Sequence, residues 1–126
     1  MIIFLRHGQA ENNTKKILAG RTPGINLTDE GKKQANQAGK MLESLDISAI
    51  YSSPIDRAVQ TAEIIQKHCN IEYKLDDRLI ELDMGQFTMM PYQEIFSKHG
   101  NVFLKFYSGS EAVSYTHLTL PTNREV

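Results

Sequence analysis

The sequence predicts an α/β fold with a mostly parallel sheet. Three short strand candidates alternate with two amphipathic helix patterns over residues 2–75. Strand, helix, strand order requires crossover connections, and these produce parallel pairing. The first strand candidate, Ile2–Leu5, is a continuous apolar run closed by charge and glycine, as expected for a strand that is buried on both faces.

Each further element has its own signal. Thr28 is a candidate N-cap for a helix over 28–45, whose first turn carries acidic residues and whose apolar residues recur at helical spacing. Residues 48–51 form the second strand candidate. Ser53 as a cap and Pro54 as the first helical residue predict the next helix. A buried stripe follows at Ile55, Ala58, Val59, Ala62 and Ile65. Residues 71–75 form the third strand, 91–99 a further helix, and 102–107 a set of turns.

Polar residues follow the first two strand candidates. Arg6, His7 and Gly8 leave the first strand, and residues 52–57 leave the second. In open α/β sheets, ligands bind where the carboxyl ends of parallel strands meet. These two stretches are therefore expected to converge on one rim.

Composition narrows the class of protein. The 126 residues suffice for one domain, and the formal charge of −1 gives no sign of a nucleic-acid or membrane surface. The single cysteine, Cys69, predicts a cytoplasmic setting without disulfides, and nothing in the sequence gives it the electropositive niche of a reactive thiol. Met1–Leu5 is too short for a signal-peptide core.

Four motifs occur in an order that resembles the histidine phosphatase superfamily, also called phosphoglycerate mutase-like proteins. They are "LRHGQAENN", "LTDEGKKQA", "YSSPIDRAVQTA" and "LIELDMGQF". The resemblance covers about residues 1–112 and implies a three-layer αβα, phosphoglycerate mutase-like fold that is incomplete at its C-terminal end. It also implies a small phosphorylated substrate and no cofactor.

The resemblance assigns a role to each matching residue. It makes His7 the nucleophile that accepts phosphate and Glu81 the acid and base. Arg6, Asn13 and Arg57 would hold the phosphoryl group. Gly8, Gly20 and Arg21 are further candidate substrate-binding positions, with Gly20 as a glycine that shapes the loop and lets the backbone come near the ligand.

These residue types also suit phosphate chemistry on their own account. A guanidinium stays protonated and can hold two phosphate oxygens at once. A neutral imidazole can attack phosphorus and divide one slow hydrolysis into two steps. Arg57 in the first turn of a helix gains nothing from the helix dipole, so its position favours an anionic partner.

Other residues have ordinary interpretations. Arg21 either faces a substrate or solvates a loop, and Glu81 alone could be a solvated glutamate. His68 suits a helix end, as does His99 beside Gly100. The methionines at 84, 89 and 90 suit a core or rim. No spacing of histidine, cysteine and carboxylate indicates a metal site.

The chain departs from the family pattern at two places. After Gly85 it reads Gln86-Phe87-Thr88-Met89, without the glutamate and second glycine usual in the family. The final stretch "VSYTHLTLPTNREV" lacks the strand and second histidine of the family, and His117 is no substitute. We therefore expect a partial domain at 1–112, a non-native or disordered tail at 113–126, and impaired activity.

Three functions remain open at this point. The leading one is a phosphatase that acts on a small phosphorylated metabolite through a phosphohistidine. A phosphoglycerate mutase-type transfer is the nearest alternative, and mutases of the family carry Glu-Arg-His-Tyr-Gly where this chain has residues 81–85, Glu-Leu-Asp-Met-Gly. A catalytically silent phosphate-binding module is the third. Neither the substrate nor the oligomeric state follows from the sequence.

Overall fold

The computed structural model of the protein describes residues 1–81 and 83–99. In chain order the elements are α1 (Glu11–Lys15), α2 (Asp29–Leu42), β1 (Ile50–Ser52), α3 (Asp56–Cys69), β2 (Tyr73–Leu75) and α4 (Tyr92–His99). Short 3-10 turns lie at Glu43–Leu45, Asp77–Leu79 and Gly85–Phe87. The turns expected at 102–107, the boundary near 112, the tail at 113–126 and His117 lie outside the described residues.

Strands β1 and β2 form a parallel pair, with Ile50 opposite Tyr73 and Ser52 opposite Leu75. Helix α3 supplies the crossover between them, as parallel pairing requires. The predicted α/β class with a parallel sheet is confirmed. The strands are shorter than the predicted 48–51 and 71–75, and β1 ends one residue later.

The prediction of a first strand at Ile2–Leu5 is wrong. Within the described ranges this segment pairs with no strand, because β1 bonds only to β2 there. Ile2 and Phe4 are 78% and 55% exposed, whereas the alternate residues pack on the core. The apolar run therefore contacts the described part of the fold on one face only. The core that it contacts comprises Ala38, Leu42 and Ile65.

Helix α2 begins as predicted. The Thr28 hydroxyl accepts a hydrogen bond from the Gly31 amide at 3.0 Å, which makes Thr28 the N-cap. The helix was expected to reach Leu45, but its α-helical part ends at Leu42 and a 3-10 turn completes it. Its buried face carries small residues, and a Cβ at Gly39 would collide with the His68 ring of α3. The two helices can therefore pack closely.

Helix α3 starts two residues later than predicted. Its N-cap is Ile55 and its first residue is Asp56, so Pro54 is not helical and Ser53 is not the cap. The Ser53 hydroxyl instead accepts the Ile55 amide in the turn before the helix, at 3.3 Å. A hydroxyl can satisfy a turn amide as readily as a helix amide, which explains the error. Arg57 still lies in the first turn.

Helix α4 agrees with the prediction for 91–99, and its Ile95 side chain is fully buried. The segment before it runs beside the stretch after α1. The Leu18 amide donates to the Met90 carbonyl at 3.0 Å, and the Met89 amide donates to the Leu18 carbonyl at 2.6 Å. This pairing brings the chain that follows Glu81 back against the loop of residues 16–27. No helix in the described ranges has the length and apolar character needed to cross a bilayer.

Candidate active site

His7 and Arg57 meet although 50 residues separate them in sequence. The Arg57 Nε donates to the His7 Nε2 at 3.2 Å. The apolar packing of Ile3 and Leu5 on the core carries His7 to this position, and the first turn of α3 carries Arg57. The two stretches that the sequence placed on one rim therefore do converge, even though the first of them has no strand partner among the described residues.

The environment of His7 holds its ring in one neutral form. Its Nδ1 lies 2.6 Å from the Gly8 carbonyl oxygen, and because a carbonyl only accepts, the ring proton resides on Nδ1. Burial lowers the pKa of His7 to about 4, and the positive charges of Arg57 and Arg6 lower it too; the Gly8 bond and Glu81 oppose the shift. At neutral pH the Nε2 lone pair is therefore available.

Arg57 is a buried cation with an unused donor. The residue is 3% exposed, and one terminal nitrogen, Nη2, donates to the Gly20 carbonyl at 2.7 Å. The other, Nη1, is buried without a hydrogen-bond partner among the described residues. Burial lowers the pKa of Arg57, and the positive charge of Arg6 acts in the same direction. The negative charges of Glu81 and Asp56 oppose this shift. A buried guanidinium with an orphaned donor is suited to an anion.

The loop at Gly8 is pressed against both long helices. A Cβ at Gly8 would collide with the Gly31 carbonyl of α2, and a Cβ at Gly31 would collide with the Gln9 carbonyl. The Gly8 amide donates to the Thr61 hydroxyl at 3.1 Å, and the Gly8 carbonyl faces the His7 ring. Both polar backbone groups of Gly8 are thus engaged within the protein, so this glycine shapes the loop.

Arg6 and Asn13 are two further candidate donors. Arg6 is half-buried, and its charge lowers the pKa of both His7 and Arg57. The side-chain carbonyl oxygen of Asn13 accepts a hydrogen bond from the Ala10 amide at 2.9 Å. That bond orients the Asn13 side chain and leaves its NH2 group without a hydrogen-bond partner in residues 1–81 and 83–99.

Glu81 lies on the exposed side of the site. Its negative charge raises the pKa of both His7 and Arg57, which places it within electrostatic range of each. The Arg21 Nε donates to the Glu81 backbone carbonyl at 2.6 Å. Gly20, in the left-handed conformation at φ 56°, turns its carbonyl to Arg57. Two consecutive loop residues therefore contact the two sides of the site.

Sequence reasoning missed the polar residues that support the loop. Thr61 follows Arg57 by one helical turn and accepts the Gly8 amide, and the Gln34 side-chain oxygen accepts the Gln9 amide at 2.8 Å. The i to i+4 spacing from Arg57 is the one signal that could have indicated Thr61. Nothing in the sequence around Gln34 distinguishes it from a solvated helix residue.

The other candidate groups lie apart from this site. His68 bonds to Asn36 at 3.0 Å and contacts Glu43 at 3.4 Å, in the packing of α3 against α2. Burial raises the pKa of the Cys69 thiol, which disfavours the thiolate that a nucleophile needs. Across the described stretches, no three histidine, cysteine or carboxylate side chains are grouped to hold a metal ion.

A family model described as the histidine phosphatase superfamily, branch 1, matches residues 2–118. The 2,3-bisphosphoglycerate-dependent phosphoglycerate mutase of Thermoplasma acidophilum is 42% identical over 84 residues, which are 67% of this chain and 42% of that protein. The probable phosphoglycerate mutase GpmB of Salmonella choleraesuis is 39% identical over 84 residues, 67% of this chain and 39% of that protein. Each match spans less than half of the relative.

Solved structures share the fold. A mycobacterial glucosyl-3-phosphoglycerate phosphatase, solved with VO3, is 26% identical with a TM-score of 0.76 over 81% of this chain and 50% of that chain. A phosphoserine phosphatase from Entamoeba histolytica, solved with 3-phosphoglyceric acid, is 31% identical with a TM-score of 0.70 over 85% and 51%. The family model covers most of the chain, and the chain belongs to the histidine phosphatase superfamily, branch 1.

Proposed function

We propose that this chain is a phosphatase that hydrolyses a small phosphorylated metabolite through a phosphohistidine at His7. One observation carries the proposal: the unprotonated Nε2 of His7 lies 3.2 Å from the buried guanidinium of Arg57. A nucleophile and a phosphate-binding cation are thus adjacent before any ligand arrives. This arrangement supplies the positioning and charge neutralisation on which phosphoryl transfer depends.

In the first step, the phosphoryl group takes the place of His7 as the partner of Arg57. The bond from Arg57 Nε to the ring breaks, and either the freed Nε or the orphaned Nη1 can donate to a phosphoryl oxygen. Arg6 and the free NH2 group of Asn13 add positive charge and a further donor. The dianion is attracted by the positive charges of Arg6 and Arg57, which repel each other without it.

The covalent change occurs at Nε2. The bond from Nε2 to phosphorus forms as the bond from phosphorus to the leaving oxygen breaks, and Glu81 gives that oxygen a proton. The ring, now positively charged, keeps its proton on Nδ1, where the Gly8 carbonyl at 2.6 Å stabilises it. In the second step water attacks phosphorus, Glu81 accepts a proton from the water, and the bond to Nε2 breaks to restore neutral His7.

The exposed position of Glu81 suits a group that must meet both a leaving group and water. Arg21 holds the Glu81 backbone and is itself exposed, so it also lies where the part of a substrate beyond the phosphate would extend. We assign Gly20 and Arg21 to the substrate-facing loop on this basis. A small phosphorylated substrate agrees with the 3-phosphoglyceric acid bound to one solved relative and with the name of the other, a glucosyl-3-phosphoglycerate phosphatase.

A mutase is the second candidate, because the curated relatives that we compared are named phosphoglycerate mutases. A mutase keeps the phosphoryl group on the enzyme and returns it to another hydroxyl. Residues 81–85, which read Glu-Leu-Asp-Met-Gly, favour hydrolysis by comparison with the mutase pattern. We further propose that the protein works in the cytoplasm, as its single cysteine suggests.

The test is acid-labile labelling of the full chain with a phosphate monoester, using His7→Ala and, as a matched control, His68→Ala. We expect labelling in the wild type and in His68→Ala, and none in His7→Ala. Persistent labelling of His7→Ala would contradict the assignment of the nucleophile.

The product then separates the alternatives. With 3-phosphoglycerate, a phosphatase releases inorganic phosphate and a mutase forms 2-phosphoglycerate. A silent binding module would show neither product nor label, yet inorganic phosphate would still raise its melting temperature.

A further inference from the structure

Thr61 connects the nucleophile loop to the helix that carries Arg57. Its hydroxyl oxygen accepts the Gly8 amide at 3.1 Å and lies 2.9 Å from the Arg57 carbonyl. Since a carbonyl only accepts, the single hydroxyl proton is donated to Arg57, and a lone pair remains for Gly8. The Thr61 side chain therefore links its own helix to the Gly8 backbone, 53 residues away.

Burial makes this connection hard to replace. Thr61 is 5% exposed, so solvent has little access to satisfy the Gly8 amide if the hydroxyl is lost. The Arg57 carbonyl is in a helix and can still accept from the helical amide one turn later. The penalty of losing the hydroxyl therefore falls on the nucleophile loop.

The loop in turn sets the orientation of His7. The Gly8 amide belongs to the peptide that joins His7 to Gly8, and the Gly8 carbonyl, which orients Nδ1, belongs to the next peptide. The close contact of Gly8 with Gly31 confines the loop on the side of α2. On the side of α3, the hydrogen bond to Thr61 fixes it.

We propose that Thr61 is a positioning residue that holds the His7 imidazole and the Arg57 guanidinium at the separation that phosphoryl transfer needs. The inference rests on the proposed function of His7 as nucleophile. In the proposed mechanism Thr61 has no contact with the reacting atoms. It acts through the Gly8 peptides and the Arg57 backbone, and the Gly8 bond distinguishes it from a threonine that merely bonds back along its own helix.

The experiment compares the full chain with Thr61→Val, which keeps the volume and removes the hydroxyl, and with Thr61→Ser, which restores the hydroxyl. Ile65→Val in the same helix is the control for lost packing. The first readout is the rate of phosphohistidine formation from p-nitrophenyl phosphate. We expect Thr61→Val to slow it on the order of tenfold to a hundredfold. We expect Thr61→Ser and Ile65→Val to stay near the wild type, and the half-saturating concentration of inorganic phosphate to change little.

The second readout is the NMR titration of the His7 ring, whose charged neighbours are Arg57, Arg6 and Glu81. It does not depend on turnover. In Thr61→Val the loosened loop should admit water, so the pKa of His7 should rise from about 4 toward its ordinary value of 6.5, and Thr61→Ser should reverse this. The Gly8 amide of the wild type should also resist hydrogen exchange.

Three results would overturn the inference. They are a wild-type rate and His7 titration in Thr61→Val, equal impairment of Thr61→Ser and Thr61→Val, or a Gly8 amide that exchanges freely in the wild type. The hydrogen-exchange measurement uses the wild type, so it tests the role of Thr61 even if Thr61→Val does not fold. Absence of phosphohistidine in the wild type would instead refute the proposed function, and the His7 titration would still judge the role of Thr61.

Discussion

The two sides of the active site are held in different ways. On the nucleophile side, His7 and Arg57 are joined to each other and to the backbone of Gly8 and Gly20, mostly out of contact with water. On the acid side, Glu81 is exposed, and Arg21, itself exposed, holds it by the backbone. The side proposed to bind phosphate is thus held by internal hydrogen bonds, whereas the position of the proposed acid depends on where a surface segment lies.

This difference predicts that variants on the two sides fail in different steps. Changes on the nucleophile side should impair phosphate binding and formation of the phosphoenzyme. Changes on the acid side should leave phosphate binding intact and impair proton transfer. The predictions below use that division.

The largest effect is expected from Glu81→Gln. Loss of the general acid and base should lower turnover on the order of a thousandfold. With p-nitrophenyl phosphate, whose leaving group departs without a proton, the phosphohistidine should still form and then accumulate, as mass spectrometry of the acid-labile adduct can show. Wild-type turnover without accumulation would remove Glu81 from the mechanism.

A somewhat smaller effect is expected from Arg57→Met. Formation of the phosphoenzyme should slow by a few hundredfold, since one preorganised cation is lost. Inorganic phosphate should no longer raise the melting temperature. Arg78→Met, which alters an exposed arginine paired with Asp76, is the matched control.

The third prediction concerns the pH dependence of stability. The pKa of His7 is about 4 in the folded protein and about 6.5 when unfolded, so between these values the unfolded chain binds the extra proton. The contribution of His7 is complete above pH 6.5 and is lost as the pH falls toward 4. The loss should be roughly 3 kcal/mol in the free energy of unfolding.

Urea unfolding of the wild type and of His7→Asn across this range measures the effect. Subtracting the His7→Asn curve should reveal a stability that rises with pH between 4 and 6.5. Parallel curves for the two proteins would show that His7 is not held neutral by the fold.

The smallest effect is expected from Arg21→Ala. Loss of one charge-assisted bond to the Glu81 carbonyl should slow hydrolysis of the phosphoenzyme by about tenfold, while its formation from p-nitrophenyl phosphate stays unchanged. Arg21→Lys should recover part of the rate. Lys33→Ala, on the exposed face of α2, is the control. A fall in phosphate affinity with Arg21→Ala would assign Arg21 to the phosphate pocket and blur the division between the two sides.

The sequence predicted the convergence of His7 and Arg57 better than it predicted the contacts around Glu81. His7 and Arg57 each follow an apolar stretch that packs on the core, and the order of elements sufficed to bring them together. The predicted convergence of His7 and Arg57 is correct even though Ile2–Leu5 forms no strand pairing among the described residues, because Ile3 and Leu5 pack on the core. The apolar pattern of a sequence indicates which residues pack on the core. Here the packing of Ile3 and Leu5 fixes the position of His7.

Contacts between polar side chains and distant backbone were not predictable. The bonds from Gly8 to Thr61, from Gln9 to Gln34 and from Arg21 to Glu81 link residues 53, 25 and 60 positions apart. Each depends on the direction in which a loop leaves the fold. No local pattern encodes that direction. The predicted start of α3 was wrong for a related reason, since the Ser53 hydroxyl can accept an amide either in a helix or in a turn.

The central claim is that the His7 ring presents Nε2 to phosphorus because the Gly8 carbonyl holds Nδ1. The most direct test is ³¹P and ¹H NMR of the phosphorylated chain, which distinguishes the two phosphohistidine isomers. The account predicts phosphate on Nε2 of His7. Phosphate on Nδ1, or on any residue other than His7, would contradict it.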